Sequence, residues 1–509
     1  MIASCWKKGG GISMNVVSIG LLVVGLLTSC SVEAERPNVL MICIDDMNDW
    51  CGFLGGHPQA KTPNMDRLAK KGVNFTNAHC TAPGCSPSRN ALMLGVEPHH
   101  SGLYPFYNLN HIDTGELDRF TTPLPKLFKD KGYTTCGLTK VYHNPDRSWR
   151  TDEQWDEYKY YGNAKLHKIA EKGYHPEPYN KRTVACPASN PLKDFQDYLS
   201  AKHASEFLSR DHEKPFFLAV GFILPHTSFI MPEENWDRFS DPIEAPPIKA
   251  DDLSDIPMPG QANAQIYVEI PVRRDNAWED IRRGYLASIN FTDDNVGRVL
   301  RALEQSSYAD NTIIILWSDH GFHLGEKRSF SKFSLWNEAT RTPFIIYDPR
   351  NKNGNGEVCS EPVGLIHVYK TLADLAGLEP PTYVDGQSLK PWLENPSRPM
   401  ERPAMTTWGR GNYTLRTKKW RYTRYFDGSE ELYLQTNDPH EWTNLAENSA
   451  YDRVKKQFSK WLPTEEAPQV ASGRELYNVV DADRPKKNIQ SYKRYVKQYK
   501  GAGLNPPLD

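Results

Sequence analysis

Several stretches of this chain are apolar at nearly every position rather than at every second one. Asn38–Ile44, Phe216–Phe222, Thr312–Trp317 and Thr342–Tyr347 are of this kind, with Thr134–Leu138 a shorter case. Strands buried on both faces of a parallel sheet need such runs. Between them the spacing turns helical. Met65, Leu68 and Ala69 follow Thr62-Pro63-Asn64, with Gly72 as a stop, and Leu124–Lys131 and Asp194–Ser209 also read as helices. Tyr285, Ile289, Val296, Leu300 and Leu303 define one face of a long helix over 278–303. The pattern predicts an α/β large domain over 36–395, its mostly parallel central sheet flanked by helices. Residues 144–195, rich in Trp, Tyr, Lys and Pro, read as an insertion of loops. After the proline-rich 391–403 the pattern changes. Tyr413–Arg416, Trp420–Tyr425 and Glu431–Leu434 read as short strands, Asp427-Gly428 as a turn and 451–464 as helical. Residues 400–509 are therefore expected to form a smaller α+β subdomain with an antiparallel sheet.

The charged residues that interrupt this pattern fall just past the strands. Asp45-Asp46 follows the first strand, Lys140 and His143 follow Thr134–Leu138, His226 follows Phe216–Phe222, and Asp319-His320 follows Thr312–Trp317. Open α/β sheets bind ligands beyond the C-terminal ends of their strands. Adjacent carboxylates there are costly to bury unless a cation or donors meet them, and a hard cation with oxygen ligands is the functional reading. Taken singly, each has an ordinary explanation: an Asx turn for Asp45-Asp46, a solvated lysine for Lys140, loop histidines for the rest. A core does not need them all at one edge. His99, His100 and Tyr104 form an aromatic, His-bearing loop and are candidates for reading substrate, or are packing.

Cys85-Ser86-Pro87-Ser88-Arg89 lies between a loop of small residues and the apolar-rich Asn90–Leu94. A cysteine there would open a helix, where free backbone N–H groups favour negative charge. The pentapeptide resembles the C-x-P-S-R signature of the formylglycine-dependent type I sulfatases of the alkaline-phosphatase-like superfamily. The resemblance extends to Lys140-Val141-Tyr142-His143, Pro225-His226, His320-Gly321-Phe322-His323-Leu324-Gly325-Glu326, Lys332 and Leu432–Glu441, and covers about residues 36–450. The family's usual T-G-R after the signature is Leu94-Gly95-Val96 here, and Thr139 stands where a glycine is common before the lysine. Lys140–His143 and His320 are especially similar to the iduronate-2-sulfatase branch.

The resemblance implies an alkaline-phosphatase-like fold and a sulfuric ester hydrolase. It implies that Cys85 is converted to formylglycine by a maturation enzyme and acts as the nucleophile. Asp45, Asp46, Cys85, Asp319 and His320 would hold Ca2+, His320 being a less usual ligand for that ion. Arg89, Lys140 and Lys332 would neutralise the sulfate oxygens, His143 would assist the hydrate, and His226 would protonate the leaving oxygen. The implied substrate is a sulfated carbohydrate, a glycosaminoglycan or ulvan-type glycan by analogy. The rivals are a phosphonate or phosphate monoester hydrolase on the same scaffold and a non-catalytic glycan-binding protein.

Composition narrows the remainder. A net charge of −2 over 509 residues gives no electrostatic case for nucleic acid. Lys7 and Lys8 precede the apolar Val16–Leu27 and then Leu27-Thr28-Ser29-Cys30. Residues 1–30 read as a leader, with Cys30 resembling a lipidated bacterial lipoprotein residue; a plain secretory leader and a membrane-anchoring helix are the alternatives. Each places the protein outside the cytoplasm, in the periplasm or on the outer-membrane surface, with a possible lipid anchor. The nine cysteines show no C-x-x-C pair or zinc spacing, and no disulfide is assigned.

Overall fold

Val39–Ile44 has no polar face, and the computed structural model buries it completely in the middle of a sheet. The structure describes residues 36–104, 119–143, 151–162, 166–177, 183–263, 269–470 and 479–483, with Lys493 and Lys497. The central strands are β1 (Asn38–Ile44), β2 (Val73–Phe75), β3 (Thr134–Leu138), β4 (Glu157–Lys159), β5 (Phe216–Phe222), β6 (Thr312–Ser318), β7 (Phe344–Tyr347) and β8 (Val358–Cys359). They form one eight-stranded sheet in the order β8-β2-β7-β6-β1-β5-β3-β4. All neighbours run parallel except β7, which is antiparallel to both β2 and β6. The expected mostly parallel sheet is therefore present.

The main helices here are α1 (Pro63–Lys71), α2 (Cys85–Leu94), α3 (Gln196–Leu208) and α4 (Trp278–Glu304). Two apolar layers fill the space on either side of the sheet. One joins Leu40, Ile42 and Ile44 to α3 and α4 through Phe207, Tyr285 and Ile289. The other joins Val39, Met41 and Cys43 to α2 through Leu92 and Met93. Alternate residues of β1 thus face opposite layers, as the two-residue strand period requires.

A separate antiparallel sheet, in chain order, contains β9 (Ala404–Thr407), β10 (Tyr413–Arg416), β11 (Trp420–Arg424) and β12 (Glu430–Leu434). β9 carries no apolar run and was not legible beforehand. Residues 144–195 are more than loops: β4 pairs with β3, and Ala185–Ala188 pairs with Phe229–Pro232. These strands are three and four residues long, too short for period alone to reveal. Cys43, Cys51, Cys80, Cys85, Cys136, Cys186 and Cys359 are buried and free. No helix among the described residues is long and apolar enough to cross a membrane. The leader, Cys30 and most of the basic tail from Lys486 lie outside the described residues.

Candidate active site

Strand register brings the site together. Ile44 of β1 lies opposite Phe222 of β5 on one side and Ser318 of β6 on the other. Leu138 of β3 lies opposite Val220 of β5. The residues just past these ends emerge at one edge: Asp45 and Asp46, Lys140, His226, Asp319 and His320. α2 brings Cys85 to them as its first residue, after Gly84 in extended conformation. Ser88 Oγ donates to the Asp319 carbonyl at 2.6 Å and ties this helix to the end of β6.

The sulfur of Cys85 lies 3.1 Å from Lys332 Nζ, 3.4 Å from His320 Nε2 and 3.6 Å from Asp46 Oδ1. Lys332 Nζ donates to Asp46 Oδ1 at 2.5 Å, and Lys140 Nζ pairs with Asp45 Oδ2. His320 Nε2 is 3.3 Å from Asp46 Oδ1 and 3.5 Å from Asp319 Oδ1. One ligand-type atom from each of Asp45, Asp46, Cys85, Asp319 and His320 falls within 4.8 Å of the others, and all five residues are buried. Three carboxylates and an imidazole so close together suit a divalent cation with a preference for oxygen. The Lys332 ammonium among them shows that the pocket accommodates positive charge.

Arg89 occupies the layer beneath. Its Nε donates to Asp319 Oδ2 at 2.8 Å, and Nη2 donates to the Ile44 carbonyl at 3.2 Å and Asp45 Oδ1 at 3.4 Å. Nη1 donates to the carbonyls of Lys140 and Val141. All five guanidinium N–H groups are thereby used. The sequence reading gave Arg89 to the sulfate oxygens; here it is a positioning residue that holds two carboxylates and the ends of β1 and β3.

Burial by itself would raise the Asp45 carboxyl, but Lys140, His226, Arg89 and Lys332 outweigh it and hold it well below the usual range. Asp46 is likewise lowered, burial being overcome chiefly by Lys332 and His226. Asp319 goes the other way: burial dominates, and Arg89 offsets only part of it. The Cys85 thiol is pushed well above its ordinary value by burial and by Asp45, with Lys332 and Lys140 opposing. Burial thus opposes the thiolate that a helix N-terminus would favour. Dehydration and a neighbouring carboxylate exceed the effect of a helix end.

The His226 side chain is 30% exposed, and its Nε2 is 4.0 Å from Asp46 Oδ2. Its Nδ1 lies 2.6 Å from the Thr227 carbonyl, so that nitrogen carries the ring proton when the ring is neutral. His143 is held well below its ordinary pKa by burial and by Lys140, and senses Asp45, Lys332 and His226 as well. Asp46 (φ 60°), Thr139 (φ 54°), Ser331 (φ 137°) and Phe333 (φ 81°) have left-handed backbone on or beside the charged residues. Such conformations cost about 1–3 kcal/mol each in residues with a Cβ, and collect where side-chain placement is at stake. At Thr139, where a glycine was anticipated, the hydroxyl is 2.5 Å from Ser200 Oγ, a contact that works against the strain.

Two residues escaped the sequence reading. Tyr285 Oη donates to the Asp46 carbonyl at 2.7 Å and accepts from the Asn48 N–H at 2.8 Å. Its place in the apolar stripe of α4 hid the hydroxyl. Asp197 of α3 accepts from the N–H groups of Ile223 and Leu224 at 2.9 Å and fixes the turn before His226. His99, His100 and Tyr104 are not brought to Cys85. The His99 and His100 rings lie 4.0 Å apart and tilted by 50°, His100 pairs with Asp385 at 2.8 Å, and Tyr104 Oη donates to the Ala467 carbonyl at 3.0 Å. The two histidines lie past the far end of α2, a helix about 15 Å long.

Sheet, edge and cluster together describe a hydrolase of the alkaline-phosphatase type, and the comparisons with known proteins specify it. The sulfatase family profile matches residues 37–378, and that of the N-sulphoglucosamine sulphohydrolase C-terminal region matches residues 325–469. The chain belongs to the sulfatase family. A sulfatase of Formosa agariphila is 35% identical over 85% of this chain and 87% of its own. Iduronate 2-sulfatase of Homo sapiens is 29% identical over 72% of this chain and 74% of its own. A structure solved in complex with its substrate, D-glucosamine-2-N,6-O-disulfate, superposes with a TM-score of 0.65 at 21% identity, covering 92% of this chain and 99% of that one.

Proposed function

We propose that this sulfatase removes sulfate from a sulfated carbohydrate, of the glycosaminoglycan or ulvan kind, outside the cytoplasm. The observation that carries the reaction is the convergence on Cys85 of three carboxylates and two lysines at one sheet edge. The carbohydrate class is supported by the relatives: one is an iduronate 2-sulfatase, and one structural neighbour binds a disulfated glucosamine. The leader sequence supports the location and the lipid anchor.

Asp45, Asp46, Asp319 and His320 fit a Ca2+ ion, with position 85 as the fifth donor. When present, the ion supplies Lewis acidity and a formylglycine at position 85 supplies a hydrate hydroxyl as nucleophile. The chain does the rest. Arg89 fixes Asp45 and Asp319 so that their outer oxygens point to one place. Lys140 and Lys332 carry the positive charge that a sulfuryl group needs as its oxygens gain negative charge. His226, its Nδ1 proton held by the Thr227 carbonyl, gives a proton from Nε2 to the departing sugar oxygen when the ring is doubly protonated. His143 stays neutral beside Lys140 and accepts a proton from the nucleophile's side. Arg89 and Tyr285 keep this array rigid from beneath.

The experiment is a desulfation screen of the mature protein against sulfated glycans, with simple aryl sulfate and aryl phosphate esters alongside. Release of sulfate from a glycan supports the reading. Preference for the phosphate ester would overturn it in favour of phosphoryl or phosphonyl hydrolysis. Mass analysis of the Cys85 peptide from the native host should show a loss of about 18 Da, the change from thiol to aldehyde. Unmodified cysteine there would favour a binding protein.

A further inference from the structure

The outer edge of the central sheet carries a second group of ligand-type side chains that the hydrolysis does not use. β4 is the edge strand, three residues long, and Glu157 at its start lies opposite Cys136 of β3. His203 of α3 completes the group: Cys136 Sγ, a Glu157 oxygen and a His203 ring nitrogen lie within 4.8 Å of one another. One polar atom of each of two of them is already engaged. Arg210 Nη1 donates to Glu157 Oε2 at 2.8 Å, and Tyr161 Oη lies 2.8 Å from His203 Nδ1. Glu157 Oε1 and His203 Nε2 face each other at 2.5 Å. Partners that fix the far atom of each imidazole and carboxylate are the usual surroundings of metal ligands.

We propose that Cys136, Glu157 and His203 form a zinc site, distinct from the catalytic cluster, that clips the edge strand to β3 and α3. One sulfur, one imidazole nitrogen and one carboxylate oxygen suit zinc, whereas calcium takes oxygen ligands. A tetrahedral zinc with bonds of about 2.0–2.3 Å sets its ligand atoms about 3.3–3.6 Å apart. Oε1 and Nε2 must therefore separate by about 1 Å, a small rotation of two side chains on different elements. Their side chains keep 34% and 12% exposure, which leaves a path for the ion and a water for its fourth position. Cys136 binds as thiolate and its proton leaves to solvent. His203 binds through Nε2 with its proton on Nδ1, where Tyr161 Oη accepts it. The clip matters because three residues of strand pairing hold little, and β4 anchors the segment that runs on to Ala185–Ala188.

The test is a Co2+ titration of the Cys85→Ser protein, so that no thiol remains in the catalytic cluster, with excess Ca2+ present. We expect one Co2+ per chain with a near-ultraviolet thiolate-to-cobalt band, displaced by Zn2+. The band should vanish in Cys136→Ser, and His203→Gln should weaken binding at least tenfold. His203→Gln is on a helix surface, and its fold can be checked by circular dichroism, so the result does not hang on the buried cysteine. Absence of the band in the Cys85→Ser parent, its persistence in Cys136→Ser, or unchanged affinity in His203→Gln would overturn the site.

Discussion

The backbone N–H of Asp46 donates to Oδ1 of Asp319 at 3.1 Å, although 273 residues separate them in the chain. The other oxygen of the same carboxylate accepts from Arg89 Nε. Asp319 is thus gripped from two sides, by a backbone amide and by a buried guanidinium. Asp46 is fixed in turn by the Tyr285 hydroxyl on its carbonyl. The catalytic edge is a hydrogen-bonded frame before any substrate enters it, and its rigidity is a form of preorganisation.

Arg89 is the keystone of that frame, fully buried against two carboxylates and three carbonyls. Arg89→Ala leaves Asp45 and Asp319 without their shared cation, and should destabilise the protein by roughly 3–5 kcal/mol. Arg89→Lys should recover only part, because an ammonium has three donors and no planar fork. Denaturant unfolding of the three proteins measures this. A loss below about 1 kcal/mol in Arg89→Ala would remove its positioning role.

Lys332 touches both Asp46 and the sulfur of Cys85. Lys332→Ala should lower kcat/KM for a sulfate ester roughly 10²–10³-fold, the usual effect of deleting a donor to developing negative charge. Steady-state kinetics with an aryl sulfate provide the number. Turnover equal to that of the parent would show that this lysine serves the fold alone.

Calcium should stabilise the folded protein by mass action, about 2.7 kcal/mol when free ion is a hundred times its dissociation constant. The melting temperature should rise with added Ca2+ and fall with chelator, and Asp319→Asn should blunt both responses. Thermal scans across a Ca2+ series check this. A melting point indifferent to the ion would contradict the assignment of the carboxylate cluster.

Asp293 supplies a pH signature away from the site. From α4 it accepts from the N–H groups of Asn64 and Met65, capping the start of α1. Burial raises its pKa from 3.8 to about 6, against the pull of those donors. Between these values the unfolded chain has lost the proton that the folded chain still holds. Stability from this group is therefore full below about pH 4 and declines as pH rises toward 6, by roughly 3 kcal/mol. Asp293→Asn lacks the titration. The stability of Asp293→Asn relative to the parent should climb across that window in urea unfolding, and a flat or falling difference would refute the shift.

The strands and the titratable residues that follow them were legible because each is a local pattern. A run such as Val39–Ile44 states its own burial, and Asp45-Asp46 at its end states an exception. Cys85 was legible as the start of a helix, but not the state of its thiol, which depends on Asp45 and on exclusion of water by distant segments. Arg89 was read as a substrate contact. Its five acceptors come from β1, β3 and β6, none visible from the pentapeptide. β4 and β9 escaped because strands of three or four residues carry too little periodicity to separate from loop.

The chain by itself determined which segments must be inside and which charged side chains their ends would carry, since hydrophobic period is written residue by residue. Only the tertiary structure decided that Ile44, Phe222 and Ser318 end level with one another. Sheet register depends on pairings between residues hundreds of positions apart, and a shift along any strand would scatter the same aspartates, lysines and histidines beyond reach of Cys85.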